Sequence, residues 1–197
     1  EDALARGRME DAEKSLRELL TQNPDDAPAL RLLSRVALDA GRFRAARKML
    51  ERAVDLEPSV LVGWTELANL FMKQDQYEKA LEMVDKALEL DSTVPNPYVV
   101  KANILTRAQR HEESLAAYRE ALKISPSNMA ALAGMGHVLK TIGRQDESID
   151  AFREAIRVFP GFGEAYWSLA NLKTFEFEPG EVEVMEKMVR EPDLPDE

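Results

Sequence analysis

The chain has 197 residues, of which 45% are hydrophobic and 31% are charged, with a net charge of −10 and no cysteine. These values are ordinary for a folded protein, and they exclude disulfides and thiolate chemistry. The acidic balance argues against nucleic acid as a partner, because surfaces that bind nucleic acid carry a basic surplus. No run of about 18 apolar residues occurs, so the sequence predicts no membrane span and no membrane partner. We expect a cytoplasmic protein, since the chain uses no disulfides.

The negative charge is concentrated at the C-terminal end. Positions 176–197 contain nine acidic and two basic side chains, which contribute −7 of the net charge. Positive and negative charges are therefore nearly balanced before Glu176. The sequence indicates a nearly neutral body followed by an acidic tail.

A 34-residue step organises most of the chain. Prolines mark it at Pro24, Pro58, Pro126 and Pro160, and Ser92 occupies the one place that the prolines skip. Small residues keep the same step in three columns, which are Ala12/Ala46/Ala80/Ser114/Ser148, Ala53/Ala87/Ala121/Ala155 and Ser34/Ala68/Ala102/Gly136/Ala170. Fixed steps of this length are typical of repeat proteins. The predicted organisation is a truncated first repeat in 1–26, full repeats in 27–60, 61–94, 95–128 and 129–162, and an altered sixth helix pair with the acidic tail in 163–197.

Each repeat predicts two helices. In 61–94, the spacing of Trp64, Leu67, Ala68 and Phe71 gives one apolar helix face. A break follows at Asp75, where other repeats have Gly7, Gly41 and Gly143, and glycine suits a left-handed residue that ends a helix. The proline column ends the second helix, since proline cannot continue one. The small-residue columns mark the points where the two helices cross closely.

These features resemble tetratricopeptide repeats: the 34-residue step, the bulky residue at Trp64 and Tyr98, the alanine columns and the closing proline. The resemblance extends from Glu1 to about Lys173. It implies an all-α solenoid of antiparallel helix pairs that forms a right-handed superhelix with a concave inner face.

The pattern changes after Lys173. The stretch GEAYWSLANLKTFEF, followed by a Glu-rich helix and PDLPDE, resembles the junction in bacterial tetratricopeptide-repeat sulfotransferase-family proteins, in which a sulfotransferase domain follows. We expect a helix over 181–190, because Glu178–Gly180 has the composition of a helix start. The resemblance implies that the chain is a fragment cut at both ends. Glu1 also falls at the ninth place of its repeat, so we expect that most of a first helix is missing.

The sequence offers little for catalysis. It has no HExxH, phosphate-loop or G-x-S-x-G motif, so we expect no enzymatic activity, no cofactor and no metal in this chain. The sulfotransferase chemistry that the second resemblance implies needs a phosphosulfate-binding loop after a strand, and none is visible. The glycine pair Gly134 and Gly136 lies on a predicted helix, where we interpret it as a close helix crossing. His111 opens a second helix and is interpreted as a packing residue.

One face of the first helix in each repeat carries the candidate binding site. The fifth, ninth and twelfth residues of a repeat lie together, away from the packing stripe, and the resemblance implies that they line the inner groove. Lys73 and Arg107 lie beside these places. We call this surface the first-helix face, with the candidate residues Arg31, Arg35, Asn69, Lys73, Asn103, Arg107, His137, Lys140, Trp167 and Asn171. Asparagine recurs in its ninth-residue column, and its amide can both donate to and accept from a peptide backbone. The alternative is a solvated helix face whose residues recur through shared ancestry.

Three functions remain open from the sequence. The first is a non-catalytic scaffold that binds an extended, acidic protein segment or peptide in the basic groove. The second is a regulatory or substrate-presenting arm of a sulfotransferase. The third is a self-association module that forms a homo-oligomer through its terminal helices, where Leu4, Val182, Met185 and Met188 lack a next repeat.

Overall fold

The computed structural model describes residues 9–172 and 175–190. The regular structure in those residues is entirely helical, which confirms the predicted all-α tetratricopeptide-repeat solenoid. The helices are α1 (Met9–Gln22), α2 (Ala27–Asp39), α3 (Phe43–Leu56), α4 (Leu61–Lys73), α5 (Tyr77–Leu90), α6 (Pro95–Arg107), α7 (His111–Ile124), α8 (Met129–Thr141), α9 (Gln145–Val158), α10 (Gly163–Ala170) and α11 (Pro179–Arg190). Leu4 and Gly7 lie outside the described residues.

The helices belong to two compact units. The first unit runs up to Gln109 and contains α1 to α6, and the second begins at Arg110 and contains α7 to α11. In the first unit each helix packs against the next, and α4 also contacts α2 and α6. In the second unit α7 packs on α8, α8 on α9 and α9 on α10. The boundary between the units falls in the loop from α6 to α7, inside the predicted repeat 95–128.

Helix starts follow local sequence signals. The side chain of Asp26 accepts a hydrogen bond from the backbone N–H of Ala29 at the start of α2, and Asn128 does the same for Ala131 at the start of α8. These contacts satisfy backbone donors that have no partner inside the helix. Proline stands in the first turn of α2 and α6, where its missing N–H costs nothing.

The turns between paired helices share a left-handed residue that recurs at the repeat step. The φ angles are +70° at Gly41, +56° at Asp75, +61° at Gln109 and +81° at Gly143. A left-handed backbone costs a non-glycine residue about 1–2 kcal/mol. At Asp75, part of this cost is offset by the hydroxyl of Tyr77, which donates a hydrogen bond of 2.6 Å to the carboxylate.

The small-residue columns lie where paired helices cross. Ala46, Ala80 and Ser148 have no exposed surface, so no larger side chain would fit at these places. Ser148 also donates a hydrogen bond of 2.8 Å to the backbone carbonyl of Gly136, which ties α9 to α8 at their crossing. A Cβ atom at Gly136 would lie 2.8 Å from the ring of the buried Phe152. The glycine pair on α8 is therefore a close helix crossing.

The sixth helix pair is altered because its first helix ends early. α10 has 8 residues, against 13 in α2, α4, α6 and α8. Phe175 and Phe177 then pack on the core of the second unit that is formed by α8, α9 and α10. Arg153 lies 5.2 Å from the centre of the Phe175 ring and forms salt bridges with Glu178 and Glu181. α11 follows from Pro179, slightly earlier than the sequence predicted.

Candidate functional site

The first unit brings three of the predicted groove residues to one pocket. Arg35 projects from α2, and Asn69 and Lys73 project from α4, one helical turn apart and therefore on one side of that helix. The pocket has a volume of about 240 Å³, and its other lining residues are Ser34, Leu38, Glu66 and Met72. It offers two cations, an amide and a short apolar floor, a combination that can hold a peptide by its backbone and by acidic side chains.

Two of the predicted cations are already paired. The Nε atom of Arg31 lies 2.6 Å from a carboxylate oxygen of Glu66 on the next first helix. Arg107 lies 3.4 Å from the carboxylate of Asp75. The hydroxyl of Tyr77 and then Arg107 hold the pKa of Asp75 below its usual value, and Asp75 raises the pKa of Arg107. The positive charge that these two arginines offer a ligand is therefore reduced.

The cations of the pocket are different. Among the residues that the structure describes, neither Arg35 nor Lys73 takes part in a salt bridge, and both side chains are exposed. Asn69 is half-buried beside them. Asn103, the next member of the asparagine column, is also half-buried on α6, a helix that contacts α4. On the part of the first-helix face that belongs to the first unit, the charge available for an anionic ligand therefore lies mainly at Arg35 and Lys73.

In the second unit the candidate residues make contacts among themselves and with neighbouring groups. Nε2 of His137 lies 2.9 Å from a carboxylate oxygen of Glu164, and the amide of Asn171 donates to the backbone carbonyl of Trp167 at 2.8 Å. The ammonium of Lys140 lies 6.0 Å from the centre of the indole ring of Trp167. That ring belongs to a residue that is 66% exposed, so this part of the first-helix face presents an aromatic surface with a cation beside it.

The sequence prediction missed Glu66. It follows Thr65 at the sixth place of its repeat, and its carboxylate both pairs with Arg31 and lines the pocket. The separation of Arg31 and Glu66 along the chain is 35, one more than the repeat step. A search for opposite charges at that separation would therefore have found the pair. The distance between Arg31 and Glu66 depends on how successive first helices are staggered. The repeat step alone does not give this stagger.

Other kinds of site find no support in the described part of the chain. In residues 9–172 and 175–190 no group of three or more His, Cys, Asp or Glu side chains is placed to hold a metal ion. None of the helices described there combines the length and apolar character that a bilayer span needs.

Three protein-family models match parts of this chain. A family model described as the Psidin N-terminal TPR repeats region matches residues 66–171, more than half of the chain. Two models described as tetratricopeptide repeat match residues 3–60 and 32–95. The chain therefore belongs to the tetratricopeptide-repeat family, as its 34-residue step predicted. A search of curated proteins finds no match to it.

Solved structures share the fold at low sequence identity. TTC0263, a thermophilic TPR protein of Thermus thermophilus, is 19% identical with a TM-score of 0.74 over 84% of this chain and 91% of its own. MamA is 18% identical with a TM-score of 0.67 over 83% of this chain and 95% of its own. YrrB, described as a TPR protein with an unusual peptide-binding site, is 16% identical with a TM-score of 0.60 over 90% of this chain and 92% of its own. These likenesses concern the fold alone.

Proposed function

We propose that this protein is a non-catalytic protein-interaction scaffold that binds an extended, acidic peptide along its first-helix face. The observation that carries the proposal is the pocket between α2 and α4, where Arg35, Asn69 and Lys73 converge. The amide of Asn69 can pair with a peptide backbone, and the two cations favour carboxylate side chains over neutral ones. YrrB, which shares the fold, is itself described as having a peptide-binding site.

Charge attraction at this face acts mainly on selectivity and encounter rate. The pocket is open to solvent, and the Debye length is about 8 Å at physiological ionic strength, so added salt screens the cations. Backbone pairing through asparagine is less sensitive to salt and tolerates many peptide sequences. We therefore expect modest affinity, a preference for acidic peptides and a clear loss of that preference as salt is raised.

Titration of the labelled protein with synthetic peptides tests this proposal. The probe is a peptide of alternating Glu and Ser, and the matched controls replace every Glu with Gln or with Lys. We expect the Glu peptide to shift backbone amide resonances on α2 and α4, around Arg35, Asn69 and Lys73, more strongly at low salt than at high salt. The Gln peptide should act more weakly, and the Lys peptide should not bind. Equal binding of all three, or shifts confined to α3 and α5, would contradict the proposal.

A second candidate is self-association through α11. Val182 and Val184 are each 39% exposed on this helix, and a repeat array usually covers such a surface with a further helix. Light scattering at increasing protein concentration measures this, and Val182→Ser with Val184→Ser should reduce any association that it detects. The sequence assigned Val182, Met185 and Met188 to the exposed end, and the side chain of Met188 lies outside the described residues.

The place of the scaffold in a larger protein is a further part of the proposal. The resemblance of residues 163–197 to the junction of bacterial sulfotransferase-family proteins favours a regulatory or substrate-presenting arm in the cytoplasm. Glu178 and Glu181 of the acidic tail pair with Arg153 inside the second unit.

A further inference from the structure

A second pocket lies among other helices of the second unit. It has a volume of about 610 Å³ and is lined by residues of α7, α8 and α9. Its floor is apolar, formed by Leu122, Leu132, Met135, Leu139 and Ala151. Its rim is charged, with Arg119 and Lys123 on α7 and with Glu147, Asp150 and Glu154 on α9. None of the candidate groove residues lines it.

Three residues that line this pocket are smaller than those at the matching places of an earlier repeat. Two repeats earlier in the sequence, Leu132 corresponds to Trp64, Leu139 to Phe71 and Ala151 to Met83. Three bulky side chains are thus replaced by smaller ones at matching places. These three places therefore hold less side-chain volume in the repeat 129–162 than in the repeat 61–94, whereas Phe152 is larger than Val84 at the matching place beneath them.

The first unit shows which chemistry fills these places. Phe71 is 4% exposed, and its ring lies 5.2 Å from the guanidinium of Arg47 and 5.9 Å from the ammonium of Lys79. Lys86 lies 4.5 Å from the ring of Trp64. In that repeat, therefore, aromatic rings occupy the groove between α3 and α5, and cations lie over the rings.

In this pocket, the matching places carry neither the rings nor the cations of this arrangement. At the places of Lys79 and Lys86, α9 carries Glu147 and Glu154, so the cations over the rings are replaced by carboxylates. Asp150 adds a third carboxylate at the same edge. Arg144 and Arg157, next to this edge, form salt bridges with Glu147 and Glu154. These salt bridges reduce the negative charge that Glu147 and Glu154 offer a ligand, whereas Asp150 takes part in no salt bridge among the residues that the structure describes. The open volume and the carboxylate of Asp150 together suit a ligand that brings both a ring and a cation.

We propose that the pocket between α7, α8 and α9 is a docking site for a partner segment that presents an aromatic side chain flanked by lysine or arginine. The aromatic ring enters the apolar floor at the places that Trp64 and Phe71 fill within the first unit. The flanking cation lies over the α9 edge and pairs with Asp150. Because the floor is apolar, ring burial supplies the affinity, and the carboxylate of Asp150 selects against acidic neighbours.

This site is independent of the peptide groove proposed above. It prefers the opposite charge, and none of the candidate residues of the first-helix face lines it. An acidic peptide that binds at Arg35 and Lys73 should leave the resonances of Met135, Leu139 and Ala151 unchanged. Failure of one proposal is therefore distinguishable from failure of the other.

The test uses three capped tripeptides and the labelled full chain. Arg-Trp-Arg is the probe, Glu-Trp-Glu reverses the flanking charges, and Arg-Ala-Arg removes the ring. We expect Arg-Trp-Arg to shift the backbone amide resonances of Met135, Leu139 and Ala151, with at least about tenfold weaker binding of the other two. Equal binding of the two tryptophan peptides would overturn the charge preference. Absence of shifts at these residues would overturn the site.

Two variants check the site within the protein. Ala151→Met restores the residue that the earlier repeat carries, fills the floor and should abolish Arg-Trp-Arg binding without lowering the melting temperature. Its matched control is Ala130→Met on an exposed place of α8, which should bind as the parent does. Asp150→Lys is a surface change that keeps the fold and should weaken binding by about tenfold. If Ala151→Met unfolds, the surface variant decides, and unchanged binding by Asp150→Lys overturns the proposal.

Discussion

Gly134→Ala should destabilise the protein, although alanine is normally the better helix residue. Gly134 lies within α8, and a Cβ atom there would be 2.3 Å from the hydroxyl oxygen of Tyr118 and 2.4 Å from the ring carbon that carries it. Tyr118 is 2% exposed, so its ring has no free space into which to move. Helix propensity favours alanine by about 1 kcal/mol, whereas overpacking of a core costs about 1–3 kcal/mol.

We expect the steric cost to exceed the gain in propensity. Thermal unfolding should show a decrease of several degrees, since a destabilisation of about 1 kcal/mol corresponds to about 2–4 °C in a domain of this size. Gly163→Ala is the control, because nothing lies within 4 Å of a Cβ atom there and the residue opens α10. If Gly134→Ala melts as high as Gly163→Ala, the close crossing between α7 and α8 is not rigid.

A double-mutant cycle assigns the cost to Tyr118. Tyr118→Leu alone should destabilise the protein by removing a buried ring. In the Gly134→Ala background the same change relieves the overlap, so its cost should be smaller, with a coupling on the order of 1 kcal/mol. Additive effects of the two changes would place the strain elsewhere on α8.

Reversal of the two cations in the first-unit pocket should remove the preference for acidic peptides. Arg35→Glu together with Lys73→Glu places two carboxylates beside Glu66, so an acidic ligand meets repulsion where it met attraction. Anisotropy of a fluorescein-labelled Glu-Ser peptide should show at least a tenfold loss of affinity, or about 1.4 kcal/mol.

The matched control has the same change in net charge. Arg44→Glu with Lys48→Glu alters two exposed cations on α3, a second helix, and leaves the residues of the pocket between α2 and α4 untouched. This control should keep most of the affinity for the peptide, because Arg44 and Lys48 do not line the pocket and physiological salt screens exposed charges outside it. Equal losses in both double variants would mean that net charge governs binding and that the pocket has no special role.

The repeat step predicted the secondary structure closely. Proline and glycine act through the local backbone, so Gly41, Asp75 and Gly143 mark the turns correctly, and the small residues mark the helix crossings. The structure adds Gln109 to the left-handed column. No glycine signals that turn, and only its place one repeat step after Asp75 indicates its backbone conformation.

Side-chain pairing between helices was less predictable. The sequence assigned Arg31 and Arg107 to a basic groove, but Glu66 and Asp75 lie within salt-bridge distance of them. Which carboxylate reaches which arginine depends on the stagger of neighbouring helices and on rotamers, and the repeat step does not encode these. The pocket on α7, α8 and α9 was also missed, because its lining differs in side-chain size from the matching places of an earlier repeat and periodicity treats those residues as equivalent.

Calorimetric titration with the Glu-Ser peptide tests the central claim most directly. Asn69→Ala with Asn103→Ala removes two amides of the first-helix face, and Glu82→Ala on α5 is the control for alanine substitution on a second helix. Each net hydrogen bond contributes about 0.5–1.5 kcal/mol, so the asparagine pair should weaken binding about tenfold while the control leaves it unchanged. If the asparagine pair changes affinity no more than Glu82→Ala does, the first-helix face is a solvated surface and the peptide-binding account fails.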